Sequence, residues 1–237
     1  MGTGGSGTGT GPAGWDDAAL LARARAAPVL AGPLPSFDPA QAPDSPGPLF
    51  AAWLDRALAD AVPEPHVMTL STASPDGRPS ARVLLLRGID TAACAYDFAS
   101  DSGSPKGRDL AANPRAALTW YWPAHGRQIR MAGPVTVLGP ADTARDFLGR
   151  SERARAAGFT GRMSAPLAGP AQYAREEAAA RALVAAEPDR VPERHTLYRL
   201  RAEEAEFFQA DPAHFHLRLR YRRASSGEGW TRTLLWP

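Results

Sequence analysis

A mainly β, α+β domain is what this sequence predicts, on three observations. From His66 onward apolar and polar residues alternate with the two-residue period of half-buried strands. Short turn sequences such as Pro75-Asp76-Gly77 separate the alternating runs. The runs with helical spacing are few and stand between groups of strands. Many antiparallel strands with a few interposed helices fit a barrel-like sheet. A chain of 237 residues, 44% hydrophobic, is long enough to bury one sizeable core.

Taken in order, residues 1–14 are mostly Gly, Thr and Ser and are expected to form a disordered tail. Residues 15–48 read as a short helix, Asp16 to Ala27, and a Pro-rich connector, with the working domain at 49–237. Leu49, Phe50, Trp53, Leu54, Ala57, Leu58 and Ala61 form one face of an amphipathic helix. The period then changes, and Val67 to Thr72 and Pro79 to Arg87 read as a β-hairpin. Strands follow at Cys94 to Ser100, Ala116 to Trp122 and Gln128 to Leu138, with a helix starting at Pro105 between the first two. Helices are expected at Ala141 to Arg150 and Gln172 to Ala186. Strands are expected at His195 to Phe208, Phe215 to Arg223 and Trp230 to Trp236, the last pair joined through Ser225-Ser226-Gly227.

Composition removes several classes of function. With 27 basic against 25 acidic residues the net charge is only +2, so nucleic acid is not the default partner. Cys94 is the single cysteine, which excludes an intrachain disulfide framework and a cysteine-rich zinc site. No run approaches the roughly 20 apolar residues of a membrane span, and no basic-then-apolar leader opens the chain, so a cytoplasmic protein is expected. One local signal stands out. The chain's one lysine, Lys106, and its one asparagine, Asn113, both fall between Ser104 and Pro114, although arginine replaces lysine everywhere else. Ser104 can cap a helix whose first residue is Pro105, and free N–H groups beside a lysine suit a phosphate. A plain capped surface helix is the competing reading.

Three segments in order carry a resemblance: Met68-Thr69-Leu70-Ser71-Thr72 with Asp76 to Arg87, then Ser104 to Pro114, then Arg127 to Gly133. Together they resemble the pyridoxamine 5'-phosphate oxidase family of FMN enzymes. Ser-x-Lys-Gly-Arg-Asp-Leu followed by Asn-Pro and Tyr121-Trp122 is nearer its phenazine-biosynthesis branch. The resemblance implies a split β-barrel homodimer with two FMN sites, each built from both subunits. It assigns Arg82, Ser100 and Lys106 to the FMN phosphate, with Val83, Leu84, Leu85 and Ala99 alongside the cofactor. Gln128 and Arg218 match ring-contacting positions, where a cation favours the anionic reduced flavin. Three cofactor-side positions depart from the family's commonest pattern. Pro105 stands where Arg or Gln is usual, Phe208 where Trp is usual, and Met163 precedes Ser164 where Gln-Ser is usual.

The substrate side departs further. His216 and Arg218 keep the family's spacing, His214 replaces a substrate Arg, Arg87 replaces a Lys, and Arg150 is retained. Asp146 and Ala154 stand where the family carries Tyr and Ser, and an added carboxylate repels a phosphate dianion. His214, His216, Arg87 and Arg150 are therefore the candidate substrate contacts. His214 and His216 lie on one face of a strand, but no third ligand accompanies them and no metal is expected. The resemblance implies an FMN-dependent oxidase of a small secondary metabolite. On that resemblance hydride is expected to pass from a carbon next to nitrogen, or from a dihydro ring, to flavin N5, with oxygen accepting the electrons as hydrogen peroxide. A housekeeping oxidase of pyridoxamine or pyridoxine 5'-phosphate, and a non-catalytic flavin or ligand carrier, remain as alternatives.

Overall fold

The computed structural model describes residues 14, 16–30, 32–160, 163–213, 215–224 and 229–237. The expected tail, apart from Gly14, and the Ser225-Ser226-Gly227 turn lie outside the described residues. Among the described residues six α-helices are present: α1 (Asp17–Ala26), α2 (Pro46–Ala59), α3 (Pro105–Ala112), α4 (Pro140–Leu148), α5 (Glu152–Phe159) and α6 (Pro170–Ala186). Ten strands accompany them: β1 (Val67–Ala73), β2 (Pro79–Leu85), β3 (Gly88–Asp90), β4 (Ala95–Asp101), β5 (Arg115–Trp122), β6 (Arg127–Val137), β7 (His195–Arg201), β8 (Glu204–Gln209), β9 (Leu217–Arg223) and β10 (Trp230–Leu235).

All strand pairs are antiparallel. The main path runs β10-β9-β8-β6-β5-β1-β2, and β7 links β6 to β4, which pairs with β3. The hairpin closes as the sequence predicts, with Gly77 at φ 81° in the turn, a conformation that favours glycine. The predicted strand His195 to Phe208 is instead two strands. Strand β6 is the reason. Its first half, Arg127 to Ala132, pairs with β8, whereas Val135 to Val137 pair with β7. The chain must therefore bend at Ala202-Glu203 to change sides, where Ala202 N–H donates to the Cys94 carbonyl and Glu203 N–H to that of Ala132. Gly133 makes the crossing possible, since a Cβ there would lie 2.0 Å from the Arg201 carbonyl oxygen.

The core fills the curl of the sheet. Phe50 and Trp53 on α2 enter it, Phe50 against Tyr96 and Trp120 at 4.8 Å each, and Trp53 against Phe207 at 5.2 Å. α2 begins at Pro46, one turn before the predicted start, because Pro46 and Gly47 are themselves buried. The connector is not loose. Phe37 meets Trp53 edge-on at 5.1 Å, Tyr221 Oη donates to the Pro43 carbonyl at 2.8 Å, and Arg232 donates to the carbonyl of Ala42. α1, by contrast, buries none of its residues.

Candidate active site

α3 and the β1-β2 hairpin place two cations together. Ser104 caps α3 by accepting from Gly107 N–H at 3.2 Å, and Pro105 takes the first helical position, where its missing N–H costs nothing to the helix. Lys106 follows on the side facing the sheet, only 8% exposed. Its ammonium donates to Met163 Sδ at 3.1 Å, a weak acceptor. Burial holds Lys106 below the ordinary lysine range, and the nearby Arg82 charge adds to this. Arg82 is fixed by Thr72 Oγ1 at 2.8 Å, Ser80 Oγ at 2.9 Å and the Leu70 and Ser80 carbonyls. Thr72 in turn donates to Asp109 on α3 at 2.7 Å. Among the described residues neither cation has a carboxylate within ion-pair distance. Ser100, 5% exposed, adds a hydroxyl 3.4 Å from Ser104 Oγ. Two adjacent cations beside hydroxyls, neither ion-paired among the described residues although Asp109 lies one hydrogen bond from Arg82 through Thr72, suit an organic phosphate.

A cleft of ≈ 1010 Å³ opens beside this corner. Leu84, Leu85, Ala99, Ser100 and Met163 line one part of it, and Arg87, Arg150 and His195 another. The structure thus brings five of the cofactor-side candidates and two substrate-side candidates to one cavity. Val83 is not among them and is 65% exposed. Ser164 has φ 66° and is exposed next to Met163.

Asp146 on α4 proves to be a buried partner rather than a free repelling charge. Its carboxylate accepts from Arg87 Nε at 2.7 Å and lies 3.1 Å from His195 Nε2, at 7% side-chain exposure. Burial alone would raise its pKa, but the hydrogen bonds from His195 and Arg87 outweigh that and hold the carboxyl below its usual range. Arg150 has no carboxylate partner among the described residues. Its guanidinium lies 5.8 Å from the Phe147 ring, and burial and the Arg87 charge lower its pKa. The sequence reading missed His195. Nothing local marks it, because its partner is 49 residues away on a helix.

A second group sits elsewhere. Gln128, Phe208 and Arg218 are register partners across β6, β8 and β9, and His216 packs 5.2 Å from Phe208 and accepts from Asp211 N–H at 3.0 Å. Arg218 also pairs with Glu206 at 2.9 Å and donates to the Trp236 carbonyl at 2.9 Å. Three to five strand spacings, about 14 to 24 Å along the sheet, separate this row on β6, β8 and β9 from β2. This row does not line the cleft of its own chain. His214 lies outside the described residues.

Residues 54–208 match the family model described as pyridoxamine 5'-phosphate oxidase. The chain belongs to the pyridoxamine 5'-phosphate oxidase family. Residues 195–237 match the pyridoxine 5'-phosphate oxidase C-terminal dimerisation region, which points to a homodimer. A pyridoxine/pyridoxamine 5'-phosphate oxidase of Bordetella pertussis is 38% identical over 197 residues, covering 83% of this chain and 91% of that protein. One from Nitrobacter hamburgensis is 36% identical over 193 residues, 80% of this chain and 88% of that protein. Among solved structures, PhzG from Burkholderia lata 383, in complex with tetrahydrophenazine-1-carboxylic acid, superposes with a TM-score of 0.80 at 32% identity, covering 87% of this chain and all of that one. A pyridoxamine 5'-phosphate oxidase-related, FMN binding protein from Nostoc punctiforme, at 21% identity and a TM-score of 0.63, shares the fold. The antiparallel curled sheet is the split barrel of this family, and the chain is an FMN-binding oxidoreductase of the pyridoxamine 5'-phosphate oxidase type. No helix among the described residues is long and apolar enough to cross a membrane.

Proposed function

We propose that this protein is a cytoplasmic FMN-dependent oxidase of a small secondary metabolite bearing a carboxylate, acting as a homodimer whose two FMN sites are shared between subunits. The observation that carries this reading is the division of labour among the cleft cations. Arg87 is committed to Asp146 and Arg190 to Glu187, which leaves Arg150 and Arg194 as the cleft cations without a carboxylate partner among the described residues. Such a guanidinium suits a monoanionic carboxylate. A phosphate dianion asks also for the hydroxyl donors that Asp146 and Ala154 have displaced.

On this reading Arg82, Lys106 and Ser100 hold the FMN phosphate, and Leu84, Leu85, Ala99 and Met163 wall the cofactor. Pro105 offers the phosphate no N–H. Gln128, Phe208 and Arg218 of one protomer complete the site of the other, supported by their distance from the cleft of their own chain. Val83 and Ser164 serve through backbone alongside the cofactor. His216, with His214, faces the substrate. FMN, when bound, supplies the redox chemistry, taking hydride at N5 from a carbon next to nitrogen or in a dihydro ring and passing electrons to oxygen to give hydrogen peroxide. The protein's own part is to hold the substrate carboxylate at Arg150 and to keep the donor carbon against the cofactor.

The visible spectrum of the purified protein, with the released chromophore weighed by mass spectrometry, tests the cofactor assignment. Oxygen uptake with a dihydroaromatic carboxylic acid, compared with pyridoxamine and pyridoxine 5'-phosphates, tests the substrate class. Faster turnover of the phosphates would instead favour the housekeeping reading, which the names of the curated relatives support.

A further inference from the structure

We propose that His195, oriented by Asp146, is the proton acceptor of the cleft, receiving at Nδ1 the hydrogen bond and then the proton of a substrate ring or amine N–H while Arg150 holds the substrate carboxylate. This rests on the reading above that the substrate lies in the cleft. The imidazole is fixed on several sides. Nε2 lies 3.1 Å from Asp146 Oδ2, the Phe147 ring stands edge-on at 4.9 Å, and the backbone N–H of His195 donates to the Pro192 carbonyl at 3.0 Å. The other carboxylate oxygen of Asp146 accepts from Arg87, so the carboxylate is ionised and Oδ2 takes a hydrogen from Nε2. In the neutral ring Nδ1 is then the lone-pair nitrogen. It has no protein partner among the described residues. Unlike His125 Nδ1, which is unpaired and sealed from solvent, it is not a sealed atom, and His195 is among the residues that line the cleft.

The chemistry calls for such a group. Oxidising an amine-bearing or dihydro-ring carbon breaks a C–H bond, whose hydrogen leaves with its electron pair to the flavin. It also breaks an N–H bond, whose electron pair becomes the second bond of C=N. The remaining proton goes to Nδ1, and Asp146 stabilises the imidazolium that forms. His195 thereby also selects substrates that present an N–H at a fixed distance from a carboxylate.

The test is calorimetric binding of two acids, with the flavin held reduced by dithionite so that no turnover occurs. 1,2,3,4-Tetrahydroquinoxaline-5-carboxylic acid has ring N–H groups and quinoxaline-5-carboxylic acid has none. His195→Phe should weaken the tetrahydro acid about tenfold, the worth of one hydrogen bond, and change the aromatic acid by less than about twofold. His195→Gln, which keeps an acceptor oxygen, should retain most of the preference, and the flavin spectrum of each variant reports its fold. Equal weakening of both acids by His195→Phe, or of neither, would overturn the assignment to His195. Wild-type protein that binds neither acid would overturn the placing of the substrate in the cleft, and this inference with it.

Discussion

Among the described residues Lys106 is buried, charged and held by nothing stronger than a thioether, an arrangement that costs free energy until an anion arrives. Lys106→Ala should therefore fold normally and lose FMN occupancy by about tenfold or more, read from the flavin absorbance of the purified variant. Unchanged occupancy would remove Lys106 from the phosphate site. Asp146 makes two predictions. Its folded pKa lies below the unfolded value, so its contribution to stability is complete above about pH 4 and is lost as pH falls through the lower folded value. In acid titrations of melting temperature, Asp146→Asn should lack that step. The double change Asp146→Tyr and Ala154→Ser, which frees Arg87 and restores two hydroxyls, should tighten the binding of pyridoxamine 5'-phosphate by about tenfold or more, read by calorimetry with the flavin held reduced. Lys106 and Arg82 were legible in the sequence because each is out of place, one by rarity and the other as a cation in an apolar strand. The Asp146-His195 contact was not, since Asp146 stood out only as a departure from the family's pattern and nothing marks His195 until the chain brings α4 against β7.

At the level of elements the alternating runs located most strands, because burial on one face imprints a period of two. Three features escaped that logic, the first being β3, whose three residues are too few to show a period. The break between β7 and β8 depends on which half of β6 each one pairs with, and no local pattern records a change of partner. α5 has the sequence ERARAAGF and buries only Ala156, so it offers no apolar stripe to read, and α6 and a cap by Ser151 support it. The crossing itself can be tested. Gly133→Ala sets a methyl against the Arg201 backbone, which cannot yield as a side-chain tip would. A cost of about 1–3 kcal/mol is expected, a loss of roughly 3–10 °C in Tm by calorimetry. An unchanged Tm would mean that β6 and the bend at Ala202-Glu203 can part without cost.

For the molecule as a whole, the order of strands keeps the Gln128-Phe208-Arg218 row out of the cleft that Ser100 and Met163 line. The motifs alone did not show this separation, since residues far apart in sequence can equally meet within one chain. The dimerisation region ends on exposed apolar side chains, Leu234 at 60% and Trp236 at 92%. If each FMN site needs both subunits, replacing both residues with Asp should shift the protein towards monomer in sedimentation and release flavin in proportion. Monomers that keep their flavin would show the site to be complete in one chain.

The connector's grip on the far end of the chain has a mechanical consequence. Ala42 and Pro43 are tied to Arg232 on β10 and Tyr221 on β9, so an early segment is laced over the last two strands. A pulling force applied between the first helix and the carboxyl terminus would load that lacing before it reached the barrel. The first rupture would free the connector and β10 together, and the inner strands would bear tension only after that event.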